Sequence, residues 1–182
     1  MVRYISLLLF IGLAFSQLSI EGKRISINRS FGFQSEKTPV SLFDAYLLFR
    51  LNEHQEIFTG FGTIIFGSSL FTGYKHYLND FSKPSPYMSI SYHGGSYYDS
   101  ESELGDREAA HQYTGIFPSL GYSKPISEET IKNISFLFDP FVPKYGFLKI
   151  GIGYVFMLKN TTNDFEGKKG FLAPFLNLSF NY

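Results

Sequence analysis

The stretch Gly170–Tyr182 reads GFLAPFLNLSFNY. Its even positions are Leu172, Pro174, Leu176, Leu178, Phe180 and Tyr182, and its odd positions include Asn177, Ser179 and Asn181. Successive side chains of an extended strand point to opposite faces. The segment therefore predicts a strand with one continuous apolar face and one that turns polar toward its end. The same two-residue period appears upstream. Gly146–Leu158 is the clearest instance, with Leu148, Ile150, Ile152, Tyr154 and Phe156 on one face and Lys149, Gly151 and Gly153 on the other.

Working outward from these two, the pattern predicts six further strands. They are Arg24–Gln34, Val40–Asn52, Glu56–Gly67, Pro86–Tyr98, His111–Ser123 and Ile131–Phe141. The residues 68–85 alternate poorly and read as a long loop. Residues 99–110 are acidic, with a helical turn or two expected after Glu101. The strands are long for a soluble sheet, whose strands average about five or six residues. They suit an outer-membrane wall, which needs about nine to eleven tilted residues.

A final amphipathic strand closing on Phe180 and Tyr182 resembles the C-terminal strand of bacterial outer-membrane β-barrel proteins. The resemblance implies an all-β, eight-stranded antiparallel up-and-down transmembrane β-barrel, porin-like in architecture. It also implies outer-membrane lipid as the surrounding medium. Phe180 and Tyr182 would then be the signal read by the barrel-insertion machinery. With the last strand descending into the periplasm, residues 34–39, 68–85, 124–130 and 159–169 are expected outside. Residues 52–55, 99–110 and 141–145 are expected as periplasmic turns.

The opening residues, MVRYISLLLFIGLAFSQ, place Arg3 before an apolar run from Ile5 to Phe15 and end that run with Ala14-Phe15-Ser16. This is the layout of a secretory signal peptide with cleavage after Ser16. Residues 1–16 are read as the signal and 17–182 as one barrel domain. The apolar run is shorter than the ~18 residues of a spanning helix. No later stretch is long enough either, so a membrane-embedded chain would have to be a closed barrel.

Composition narrows the function. Lys plus Arg and Asp plus Glu are 16 each, giving zero net charge. That argues against a nucleic-acid partner held by phosphate attraction. The 21 Phe and 13 Tyr favour strands and interfacial girdles, although Trp is absent. With no Cys, there is no disulfide frame and no thiolate chemistry.

The polar faces carry Arg24, Asp44, Arg50, His93, Asp139 and Lys149. In a membrane barrel these point inward, and eight strands leave room only for side chains. A plugged interior with paired charges is therefore expected, without an open pore. A soluble barrel would reverse the faces and enclose an apolar ligand.

Catalysis has little support. Lipid A deacylases of the outer membrane use a His-x-Ser-Asn pattern that this chain lacks. Ser91 and His93 share a predicted interior face, but residues two apart are separated by about 6.5 Å along a strand. No catalytic residue, metal or cofactor is predicted. A non-enzymatic structural or surface-contact role is expected. A lipid A-modifying barrel enzyme and a secreted apolar-ligand barrel are the alternatives.

Overall fold

The computed structural model describes residues 25–33, 42–64, 67–98, 110–138, 143, 145–160 and 170–182. Its strands are β1 (Ile25–Phe33), β2 (Phe43–Arg50), β3 (Gln55–Ile64) and β4 (Gly67–Tyr77), followed by β5 (Ser85–Tyr98) and β6 (Ala110–Ile126). One helix, α1 (Glu128–Phe138), precedes β7 (Tyr145–Asn160) and β8 (Gly170–Asn181). Every strand pairs antiparallel with its sequence neighbour, and the sheet closes in the order β1 through β8. The closing seam pairs β1 with β8, from Asn28 opposite Asn181 to Phe33 opposite Leu176.

Seven of the eight expected strands are found with shifted ends, and two of the expected elements are corrected. Residues 68–85 are not a loop: most of them form β4, which pairs with β3 and β5. Ile131–Phe141 is not a strand, because its residues through Phe138 belong to α1. The helix starts where local chemistry favours it. Ser127 Oγ accepts a hydrogen bond from the Thr130 N–H at 3.3 Å, and Glu128 and Glu129 occupy the first turn. A hydroxyl at that position satisfies an otherwise orphaned donor, and the carboxylates complement the positive end of the helix dipole.

These changes redraw the ends of the barrel. The chain enters β1 and leaves β8 at one end. Residues 51–54, 78–84 and 127–138 lie on that same side, because they follow β2, β4 and β6. Tyr98 and Ala110, the last register pair of β5 and β6, stand at the opposite end, against the expected terminal-side turn over 99–110; residues 99–109, with the helical turn expected there, lie outside the described residues. The assignment of 124–130 to the far side is reversed too: β6 continues to Ile126 and α1 follows at the terminal end. The 78–84 turn is held by its own polar groups. The Ser82 N–H donates to Asp80 Oδ1 at 2.8 Å, and this bond draws the exposed carboxyl below its ordinary value.

The outer wall is apolar. Leu70, Leu172, Leu120 and Ile150 are exposed by 71%, 66%, 63% and 55%. Leu148, Ile152 and Leu176 are exposed as well. The faces that alternate with them are buried, and these carry Asp44, Glu56, Lys75, His93 and Lys149. The pattern is inside out relative to a protein that hides its apolar groups from water.

Candidate functional site in the barrel interior

The inward faces fill the barrel in two different ways. On the β4–β8 side, Tyr77, Tyr87, Phe117, Val155, Ala173 and Phe175 form one buried apolar cluster. Tyr46, Leu48, Phe58 and Phe71 form a second. The rings lie where neighbouring strands carry glycine. A Cβ on Gly73 would stand 2.5 Å from Phe58 Cζ, and one on Gly121 would stand 2.5 Å from Tyr87 Cζ. The same holds for Gly151 against Phe175 and for Gly153 against Phe117. Each missing side chain opens a seat for an aromatic ring from the next strand. The interior is thus more apolar than the simple alternation of polar and apolar faces suggested.

Around β8, β1 and β2 the filling is polar. Ser30 Oγ donates to Asp44 Oδ2 at 3.0 Å, and Tyr46 Oη and Ser179 Oγ share a hydrogen bond of 2.9 Å. Asn181 Nδ2 donates to Ser26 Oγ at 3.2 Å, and Asn28 Nδ2 to the same oxygen at 3.0 Å. Asn28, Ser30, Asp44, Asn177, Ser179 and Asn181 are all buried.

A charged group sits toward the terminal end. Glu56 is directly opposite Arg50 on β2 and Lys75 on β4. Arg50 Nε approaches Glu56 Oε1 at 3.6 Å, and Tyr77 Oη donates to Glu56 Oε2 at 3.1 Å. Lys75 is buried, with its Nζ 4.7 Å from the Tyr87 ring centre and 5.7 Å from those of Phe58 and Tyr77. A cation set over aromatic faces is attracted by their quadrupoles.

Of the residues singled out from the sequence, Asp44, His93 and Lys149 are buried inside the barrel, and Arg50 is partly exposed at its mouth. Arg24 and Asp139 lie outside the described residues. Glu56 and Lys75 were missed. Lys75 fell in the segment read as a loop, and Glu56 stood at the edge of a turn. Their signal was present as opposite charges on inward positions, and it becomes readable once β4 is recognised.

His93 is fully buried on β5, and neither ring nitrogen has a hydrogen-bond partner. Its ring packs 5.7 Å from that of Tyr113 and covers Gly115, where a Cβ would stand 2.9 Å from Nε2. A register shift between Thr114 and Gly115 accompanies this packing. A sealed imidazole with no acidic partner among the described residues is poorly placed to activate Ser91 against any substrate from outside.

At the end of β8, Phe180 is buried and its ring stacks on Phe31 with centroids 5.4 Å apart. It keeps the outward parity of Leu172, Pro174 and Leu176, opposite the outward Arg29, but is covered there rather than open. The Tyr182 N–H donates to the Ile27 carbonyl at 3.0 Å, and the Arg29 guanidinium lies 5.1 Å over the Tyr182 ring. That aromatic cover explains how Arg29 can occupy an outward position.

No protein-family model matches the chain, and no curated protein matches it in sequence. Among solved structures, it resembles the N-terminal β-barrel domain of Pseudomonas aeruginosa OprF. The TM-score is 0.52 and the identity 14%, over 87% of this chain and 95% of that one. A likeness at that identity establishes the eight-stranded barrel fold.

Proposed function

We propose that the protein is a small bacterial outer-membrane barrel of non-enzymatic, structural or surface-contact role, whose interior is closed to solutes. The observation that carries this reading is the inverted burial, with leucines and isoleucines exposed around the wall and carboxylates and amines enclosed. Large contiguous apolar surfaces are rare on monomeric proteins in water. A hydrocarbon medium removes that difficulty, and a closed barrel satisfies its own backbone groups there. The same exposure speaks against a soluble ligand barrel, which would turn Leu148, Ile150 and Leu176 inward.

Export through the signal at residues 1–16 belongs to this reading, as does recognition of the last strand by the barrel-insertion machinery. Because Phe180 is covered by Phe31 in the closed barrel, recognition would precede closure of the β1–β8 seam. The strand ends opposite the termini, at the close of β1, β3, β5 and β7, would face the cell exterior.

Fractionation tests the location. Recovery in the outer membrane, with a band whose gel mobility shifts on boiling, is expected; a soluble periplasmic protein overturns the reading. Closure is tested separately in planar bilayers, where purified folded protein is expected to leave the baseline conductance unchanged. Regular unitary steps would overturn the closed interior while leaving the location intact.

A further inference from the structure

The outer wall carries a groove. Two rows of outward side chains cross the strands in register. One joins Tyr74, Ile90 and Pro118 and continues through Tyr154 to Leu172. The other joins Met88, Leu120 and Ile152. Between the rows lie the inward positions Ser89, Ser119 and Gly153, whose backbone forms the floor. These residues line a cavity of about 610 Å³ that opens outward along the wall. The volume lies within the range for small-molecule pockets, about 300 to 1,000 Å³.

The groove is apolar. Met88, Ile90, Leu120, Ile152 and Leu172 are exposed. The Ser89 and Ser119 hydroxyls are buried and bond each other at 2.7 Å. Among the described residues, no charged side chain lines it. A polar solute therefore finds no charge to pair with along its length, whereas a hydrocarbon chain needs none.

Its dimensions are those of one chain. The groove crosses β4 to β8, and four interstrand spacings of about 4.8 Å make it about 19 Å long. With strands tilted by about 35–45°, it climbs about 11–13 Å along the membrane normal. One leaflet is about 15 Å deep, half of a ~30 Å hydrocarbon core. Leu172 lies near the start of β8, at the end opposite the termini, and Tyr74 lies near the terminal-side end of β4. The groove thus descends from the outer rim. In hydrocarbon, contact along the whole chain rather than escape from water favours a particular occupant. We infer that the groove holds one extended acyl chain of an outer-leaflet lipid, entering beside Leu172 and ending near Tyr74. A straight row suits a saturated chain, and a cis double bond would lift part of the chain out of contact. The inference rests on the membrane reading of the wall and adds a defined lipid site to it.

The test uses the full chain folded in nanodiscs of dioleoyl phosphatidylcholine, with leucine and isoleucine methyl groups labelled for NMR. Dipalmitoyl phosphatidylcholine is titrated in as the saturated-chain probe. Shifts at Ile90, Leu120 and Ile152 are expected to saturate at a low fraction of the probe. Ile25 and Ile57, elsewhere on the exposed wall, are expected to drift in proportion to it. Groove methyls that drift with these controls overturn the proposal. Shifts that follow the number of protein copies per disc, and not the lipid, assign the groove to a second copy and overturn it too. Pro118→Phe places a ring in mid-groove and is expected to abolish saturation at Leu120 and Ile152; retained saturation overturns the proposal. The boiling-dependent gel shift reports whether the variant folds, and if it does not, the wild-type titration decides alone. Fractionation separates the two readings: a soluble protein removes the membrane location, whereas an embedded protein with only proportional drift removes the groove site alone.

Discussion

The two sides of the barrel interior solve the same packing problem by different physics. Between β4 and β8, Phe117, Phe175, Tyr87 and Tyr77 fill space with rings, and glycines on adjacent strands supply the recesses. Around β8, β1 and β2, Ser30, Asp44, Tyr46 and Ser179 fill it with hydrogen-bonded groups. The first side should be sensitive to volume and indifferent to polarity. The second should tolerate small changes of volume and respond to the loss of a partner. The difference shows that an interior enclosed by a membrane-type wall need not be polar throughout. It must only be full.

The sharpest way to break this contrast is Phe117→Ala. Phe117 is fully buried, and its ring occupies the recess over Gly153. Truncating a buried aromatic is expected to cost about 3–5 kcal/mol. Urea unfolding in lipid vesicles, followed by the boiling-dependent gel shift, measures it. A loss below about 1 kcal/mol would mean that the rings do not carry the stability of this side. Gly153→Ala approaches the same contact from the other strand. Its Cβ would stand 2.5 Å from Phe117 Cζ and 2.8 Å from the Pro118 carbonyl oxygen. Overpacking of this kind costs about 1–3 kcal/mol. Combined with Phe117→Leu, the two costs are expected to be less than additive, since the shorter side chain vacates the space. Strict additivity would show that the backbone oxygen, and not the ring, sets the penalty.

On the polar side, Tyr46→Phe keeps the ring and removes the hydroxyl that meets Ser179 at 2.9 Å. It is expected to cost about 0.5–1.5 kcal/mol in the same assay. Tyr46 packs against Phe71 at a centroid distance of 6.3 Å, and that contact survives the change. A neutral result would erase the distinction between the two sides.

Much of the wall was legible in the sequence because alternation survives where one face is lipid-like and the other is small or polar. In β7, Leu148 to Phe156 stand outside and Lys149, Gly151 and Gly153 inside, so the period is undisturbed. In β4 the two faces resemble each other. Phe71 and Tyr77 point inward while Thr72 and His76 point outward, and the contrast that marks a strand vanishes. The segment after β6 failed for the opposite reason. Ile134, Phe136 and Phe138 alternate convincingly, yet Ser127-Glu128-Glu129-Thr130 starts a helix just before them. Local capping chemistry outranked the two-residue period there. The inward placement of Asp44, Arg50, His93 and Lys149 follows from strand parity alone. What parity does not encode is who meets whom across the lumen. The seating of Phe117 on Gly153 and of Glu56 between Arg50 and Lys75 depends on register, which only pairing of the strands fixes.

The finest test uses a polar pair embedded on the aromatic side. Ser89 and Ser119 are register partners on β5 and β6, both buried, and their hydroxyls share a 2.7 Å hydrogen bond. Either hydroxyl can be the donor, so Ser89→Ala alone leaves Ser119 without this partner and is expected to cost about 1 kcal/mol. Removing both hydroxyls leaves no orphaned group and only a small loss of volume. Ser89→Ala with Ser119→Ala is therefore expected to lie within about 0.5 kcal/mol of the parent protein, recovering most of the single-variant loss. If the double variant instead loses about 2 kcal/mol, the serines are supported by further polar neighbours. The aromatic side would then depend on hydrogen bonds as the β8–β1–β2 side does. If the single variant is already neutral, the pair is solvated through the lumen. The closed packing inferred between β5 and β6 would then have to be loosened.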